Sequence, residues 1–190
     1  MSKRLFVVHG WEGSSSEPMI AWFGKVGSEF GFETVVLDMP NPSVPTIDAW
    51  TKHLEDNVYY VDQETYFVGH SLGCQAILRY LEMNKGSQLG GVILVAPALR
   101  ISGLENQVEE DIARPWVDRP IDFAGIRSMN GKFATFFSDN DKFVHVDENK
   151  EIIEKSLGGQ IIIEHAKGHF TRDDGVTDLP VAKEILEGWK

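Results

Sequence analysis

Six short apolar runs recur along the chain with helix-period segments between them. They are Leu5-Phe6-Val7-Val8, Thr34-Val35-Val36-Leu37, Tyr66-Phe67-Val68, Val92-Ile93-Leu94-Val95, Lys132-Phe133-Ala134-Thr135-Phe136-Phe137 and Ile161-Ile162-Ile163. A strand covered on both faces shows no polar side, so it reads as an unbroken apolar run, whereas a helix laid on a sheet keeps a single apolar stripe. Such stripes are Ile20, Phe23, Val26 and Phe30; Ile47, Trp50, Leu54 and Val58; Ile77, Leu78 and Leu81; Ile152, Ile153 and Leu157; and Ala182, Ile185, Leu186 and Trp189. Gly31 and Gly158-Gly159 stop two of these helices, and Asp178 is the expected N-cap of the last. The pattern predicts an α/β fold: an open six-stranded parallel sheet with helices on both faces. In such sheets ligands bind beyond the carboxyl ends of the strands, so the chemistry is sought in the loops that follow them.

The chain of 190 residues reads as one domain, 1–190. From Leu99 to Asn130 no strand is evident, and Leu104 to Ala113 is the expected helix, ended by Arg114-Pro115-Trp116. A connection of this length reads as a lid-like insertion, 99–130, with Trp116, Phe123 and Ile126 as candidate substrate-pocket residues. The formal net charge of −11 argues against binding to nucleic acid or to an anionic membrane surface, both of which need clustered Lys and Arg. Cys74 is the only cysteine, which leaves no disulfide within the chain and fits a reducing compartment. Lys3-Arg4 leads into only four apolar residues, too short for a signal-peptide core, so the expected location is cytoplasmic. There is no Gly-x-Gly-x-x-Gly, no Walker A lysine and no paired-histidine spacing, so no cofactor and no metal are expected.

The third run ends in Gly69-His70-Ser71-Leu72-Gly73, and a helical stripe follows at once. Strand, sharp turn and helix in that order raise a serine hydroxyl above the sheet, with the Leu72 N–H at the helix start aimed at charge developing on a substrate oxygen. A serine hydroxyl is a weak nucleophile near neutral pH and needs an imidazole base that is itself oriented by an acid. Two later loops carry those residue types in the order Ser, Asp, His: Ser138-Asp139-Asn140-Asp141 after the fifth run and Gly168-His169 after the sixth. His169 is preferred to His165, which directly follows the sixth apolar run and reads as a strand-end residue. The residues alone leave Asp139 and Asp141 both open as the acid. His70 reads as a packed or hydrogen-bonded neighbour, and Cys74 as a small core residue.

Along its whole length the chain resembles the small α/β-hydrolases of the retinoblastoma-binding-protein-like / YdeN serine hydrolase family. The matching residues are His9-Gly10, Asp38-Met39-Pro40-Asn41-Pro42, Gly69-His70-Ser71-Leu72-Gly73-Cys74, Ser138-Asp139-Asn140-Asp141 and Gly168-His169-Phe170. The resemblance implies nucleophile Ser71, acid Asp141 and base His169, with a Trp11 backbone N–H beside that of Leu72 in the oxyanion hole. It implies a serine hydrolase and suggests peptidase-like activity; for a mechanism through an acyl-enzyme a small ester, which has the best leaving group, is the expected substrate, with thioesters and amides as further ones. The alternative, from another class, is a non-catalytic protein-interaction module on a hydrolase scaffold. No retinoblastoma partner is implied, because Leu72-Gly73-Cys74-Gln75-Ala76 has alanine where the Leu-x-Cys-x-Glu peptide needs glutamate.

Overall fold

The computed structural model describes residues 2–190. Six strands form one sheet: β1 (Arg4–Val8), β2 (Glu33–Leu37), β3 (Thr65–His70), β4 (Gly91–Val95), β5 (Lys132–Ser138) and β6 (Gln160–Glu164). Their spatial order is β2-β1-β3-β4-β5-β6, and every neighbouring pair is parallel. The helices are α1 (Pro18–Glu29), α2 (Ile47–Val58), α3 (Leu72–Met83), α4 (Gln107–Asp118), α5 (Phe123–Arg127), α6 (Val146–Ser156) and α7 (Pro180–Glu187). The expected architecture is the observed one.

Successive strand side chains point to opposite faces, so each run feeds two cores at once. Phe6, Val8, Phe67, Val92, Leu94, Phe133 and Phe137 meet α2, α3, α4, α5 and α6 on one side. Leu5, Val7, Tyr66, Val68, Ile93, Val95 and Phe136 meet α1 and α7 on the other. The strand order reverses between β1 and β3. This places the loop after β1 beside the turn after β3, at the crevice where open parallel sheets bind ligands.

Three local expectations are corrected. Pro115 does not end α4, which runs on to Asp118. Its last turn is held from outside: Trp116 is buried against Trp50 with ring centroids 5.6 Å apart, and the Trp116 indole N–H donates to the Pro45 carbonyl at 3.1 Å. The Arg79 guanidinium also donates to the Trp116 and Arg119 carbonyls, at 2.8 Å each, which caps the carboxyl end of the helix. Asp178 does not cap α7. The helix starts at Pro180, whose fixed φ suits the first helical position, and Leu179 is the N-cap with no side-chain bond. Finally, Trp116, Phe123 and Ile126 face the α2–α6 core rather than a ligand cleft: Trp116 and Ile126 are buried in it and Phe123 packs against it. The α4–α5 stretch has to bury an apolar face, and the core beneath α3 receives it.

Candidate active site

Ser71 stands between β3 and α3 with φ 53° and ψ −120°, a conformation rarely adopted by a residue with a side chain. Its N–H donates to the Val95 carbonyl at 2.9 Å, and its own carbonyl accepts from the Cys74 and Ala98 N–H groups at 3.1 and 3.4 Å. The turn is thus fixed from both neighbouring segments. The two glycines are demanded by close approach: a Cβ on Gly73 would lie 2.4 Å from the His9 carbonyl oxygen, and one on Gly69 would lie 2.9 Å from the Cys74 nitrogen. Cys74 itself is buried, and burial pushes its thiol up, away from the thiolate.

The Ser71 hydroxyl meets His169 Nε2 at 2.9 Å, and His169 Nδ1 meets Asp141 Oδ2 at 2.8 Å. A carboxylate only accepts, so Nδ1 carries the proton and Nε2 is left to accept from the serine hydroxyl. The Asp141 side chain is almost fully buried, and its Oδ1 accepts the Phe143 and Val144 backbone N–H groups at 2.8 and 3.0 Å. Asp139 also meets a histidine, His165 Nδ1, at 2.6 Å, but that pair lies on the surface, with the His165 side chain 90% exposed. The structure therefore brings Asp141, His169 and Ser71 together and leaves Asp139 and His165 outside.

Asp139 has a different task. The Ala166 backbone N–H donates to Asp139 Oδ1 at 2.9 Å, that of Lys167 to Ser138 Oγ at 3.0 Å, and that of Gly168 to Asn140 Oδ1 at 2.8 Å. With Asp141 on the His169 ring, four consecutive residues, Ser138 at the end of β5 and Asp139, Asn140 and Asp141 after it, all grip the stretch from His165 to His169. These bonds, with the Ala166 N–H first and His165 next, hold the Asp139 carboxyl below its ordinary range.

The loop after β1 lies against the serine: a Cβ on Gly10 would come within 3.0 Å of Ser71 Cβ. It is tied to the Asp38–Pro42 segment at three points. Met39 N–H donates to His9 Nε2 at 2.9 Å, Glu12 N–H to the Pro42 carbonyl at 2.8 Å, and Ser15 N–H to Asp38 Oδ1 at 2.7 Å. Since His9 Nε2 accepts, Nδ1–H donates to the Gly10 carbonyl at 2.8 Å. Burial lowers the His9 pKa and keeps this tautomer neutral. The Ser15 backbone N–H, then its hydroxyl, lowers that of Asp38. Among the described residues, neither the Trp11 nor the Leu72 backbone N–H has a hydrogen-bond acceptor within the protein.

These groups border a cleft of about 1020 Å³, with Trp11, Met19, Ile20, Ile101, Leu104 and Phe143 among its apolar lining. Trp116, Phe123 and Ile126 are not in its wall, and the 99–130 stretch instead contributes Ile101, Leu104, Glu105 and Glu109. The Phe143 ring stands edge-on to the His169 ring, with centroids 5.3 Å apart. Among the described residues, no group of three or more His, Cys, Asp or Glu side chains is placed to hold a metal ion, and no helix is long and apolar enough to cross a membrane.

Two further residues touch His169, and His70 is the packed, hydrogen-bonded neighbour expected of it. His70 Nε2–H donates to the His169 carbonyl at 2.7 Å, and Asp174 Oδ2 accepts the His169 backbone N–H at 2.9 Å. The loss of hydration on burial, followed by the neighbouring His169, pushes His70 down to about 3, so it is neutral near pH 7. For His70 the only signal was its place in the motif. For Asp174 there was none.

Comparison with known proteins agrees with the fold. The YdeN protein of Bacillus subtilis (strain 168) is 30% identical over 190 residues, covering 100% of this chain and 97% of its own. Serine hydrolase RBBP9 of Rattus norvegicus is 26% identical over 179 residues, covering 94% of this chain and 87% of its own. The crystal structure of the B. subtilis ydeN gene product superposes with a TM-score of 0.88 at 27% identity, over 99% of this chain and 98% of that one. Est1E from Butyrivibrio proteoclasticus shares the fold, with a TM-score of 0.75 at 17% identity over 99% of this chain and 86% of its own. The family model described as Serine hydrolase matches residues 5–188, and the chain belongs to that family.

Proposed function

We propose that this protein hydrolyses small carboxylic esters through an acyl-enzyme on Ser71. In this reading Ser71 Oγ attacks the ester carbonyl carbon while its proton passes to His169 Nε2. The N–H groups of Leu72 and Trp11 hold the tetrahedral oxyanion, and Asp141, bonded to Nδ1–H, steadies the imidazolium. Collapse expels the alcohol, which takes the proton back from Nε2. A water molecule deprotonated by His169 then attacks the acyl-serine and releases the carboxylic acid and free Ser71. Thioesters and amides follow the same path, with amides slower because the amine is the poorer leaving group.

The observation that carries this reading is the hydrogen-bonded line from Asp141 Oδ2 to His169 to Ser71 Oγ, at 2.8 and 2.9 Å. The two unpartnered N–H groups beside the serine support it. The catalytic unit is the whole chain, with the 99–130 stretch as one wall of the cleft. The buried, unpaired Cys74 supports a reducing, cytoplasmic setting. The test is turnover of p-nitrophenyl acetate and butyrate. Ser71→Ala is expected to lower kcat by about 10⁴-fold or more. Full turnover by that variant would end the assignment, and a folded wild type without turnover would favour the interaction module.

A further inference from the structure

The histidine loop is not a conformation that its own sequence prefers. Ala166, Gly168 and Phe170 all have positive φ, at 53°, 51° and 59°, and for residues with side chains that backbone persists only where surrounding contacts impose it. The contacts from Ser138, Asp139 and Asn140 hold the backbone up to Gly168. At His169 they stop, and a separate pair of residues takes over.

We propose that Asp174 and His70 are positioning residues that clamp the two backbone ends of His169 and so fix its imidazole between Asp141 and Ser71. Asp174 Oδ2 accepts the His169 N–H at 2.9 Å and, on the same oxygen, the Thr171 N–H at 3.1 Å and hydroxyl at 2.6 Å. One carboxylate thus ties the residues on both sides of Phe170. Gly168 completes the fit, because a Cβ there would lie 1.9 Å from Asp174 Oδ1. On the other side His70 Nε2–H donates to the His169 carbonyl at 2.7 Å, and the two imidazole rings pack with centroids 4.9 Å apart. His70 precedes the serine, so it ties the base to the turn that carries its target. Burial alone would raise the Asp174 carboxyl, but the Thr171 and His169 hydrogen bonds outweigh it and keep the group an anionic acceptor.

The clamp acts on geometry, and a small misplacement of a base relative to its nucleophile is costly. This inference rests on the proposed esterase reading for its kinetic arm but not for its exchange arm. Asp174→Ala and His70→Phe are expected to lower kcat, and the rate of fluorophosphonate capture of Ser71, by about 10- to 100-fold with KM little changed. Asp174→Asn and His70→Gln, which keep an acceptor and a donor, are expected to recover to within about 5-fold. Independently of activity, amide exchange at His169 is expected to be faster in Asp174→Ala than in wild type by about 10-fold or more. Folded Asp174→Ala or His70→Phe with kcat within twofold of wild type, a loss confined to KM, or unchanged His169 exchange would overturn the clamp. If Asp174→Ala does not fold, His70→Phe against His70→Gln decides. A wild type that shows the exchange contrast without turnover defeats the esterase reading and leaves the clamp standing.

Discussion

The molecule holds two Asp–His pairs built from the same two loops, with acids two residues apart and histidines four apart. Asp141–His169 has its N···O contact at 2.8 Å and Asp139–His165 at 2.6 Å, so distance does not separate them. Surroundings do. The first pair has side chains 1% and 13% exposed, a serine on the free imidazole nitrogen and two backbone N–H groups on the other carboxylate oxygen. The second has side chains 42% and 90% exposed and, among the described residues, no partner on the free nitrogen. A histidine–carboxylate contact in water contributes little, whereas the same contact out of water and aimed at a nucleophile orients a base. Strand alternation would put acids two residues apart on one face, but both follow the end of β5, and the turn there separates them: Asp139 turns to the Ala166 N–H and Asp141 to the Phe143 and Val144 N–H groups.

The comparison breaks or sharpens under substitution. Asp141→Asn is expected to lower kcat by about 10³- to 10⁴-fold, since an amide no longer holds Nδ1 in the required tautomer. Asp139→Asn, which keeps an acceptor for the Ala166 N–H, and His165→Ala are expected to change kcat by less than about threefold. Steady-state ester kinetics on the three variants reads the contrast directly. Comparable losses at Asp139 and Asp141 would mean that the two pairs work as one network.

The smallest effect concerns the neighbour that stays neutral. His70 has a folded pKa of about 3 against an ordinary 6.5, so above pH 6.5 it is neutral folded or unfolded and adds no pH dependence. As the pH falls from 6.5 toward 3, the unfolded chain gains a proton there that the folded chain refuses, and stability is lost. Below about 3 both forms are protonated and the loss stops. Urea midpoints at pH 7.5 and 5 are therefore expected to fall further in wild type than in His70→Gln, while equal falls would show that His70 is not held neutral.

Much of the fold and of the candidate site was legible because each leaves a local trace. Continuous apolar runs mark doubly covered strands, and Gly-His-Ser-Leu-Gly marks a turn where neighbouring backbone admits no side chain at Gly73. What was hidden depends on partners far along the chain. Pro115 looked like a helix end because the groups that hold the last turn, Arg79 and the Pro45 carbonyl, lie 36 and 70 residues earlier in the chain. Trp116 and Ile126 looked like pocket residues because an apolar side chain in an insertion does not say whether it faces a cleft or a core. Asp174 left no trace, since a carboxylate five residues after a histidine is ordinary surface composition until the loop folds back.

The central claim is that Ser71 is the nucleophile because the buried pair, and not the exposed one, activates it. It is tested most directly by intact-mass and peptide mapping of the native protein after treatment with a fluorophosphonate, beside Asp141→Asn and Asp139→Asn. The account predicts a single adduct on Ser71, formed at near wild-type rate in Asp139→Asn and at least about 100-fold more slowly in Asp141→Asn. No adduct on folded wild type, or an adduct on Ser71 formed equally fast in Asp141→Asn, would contradict it.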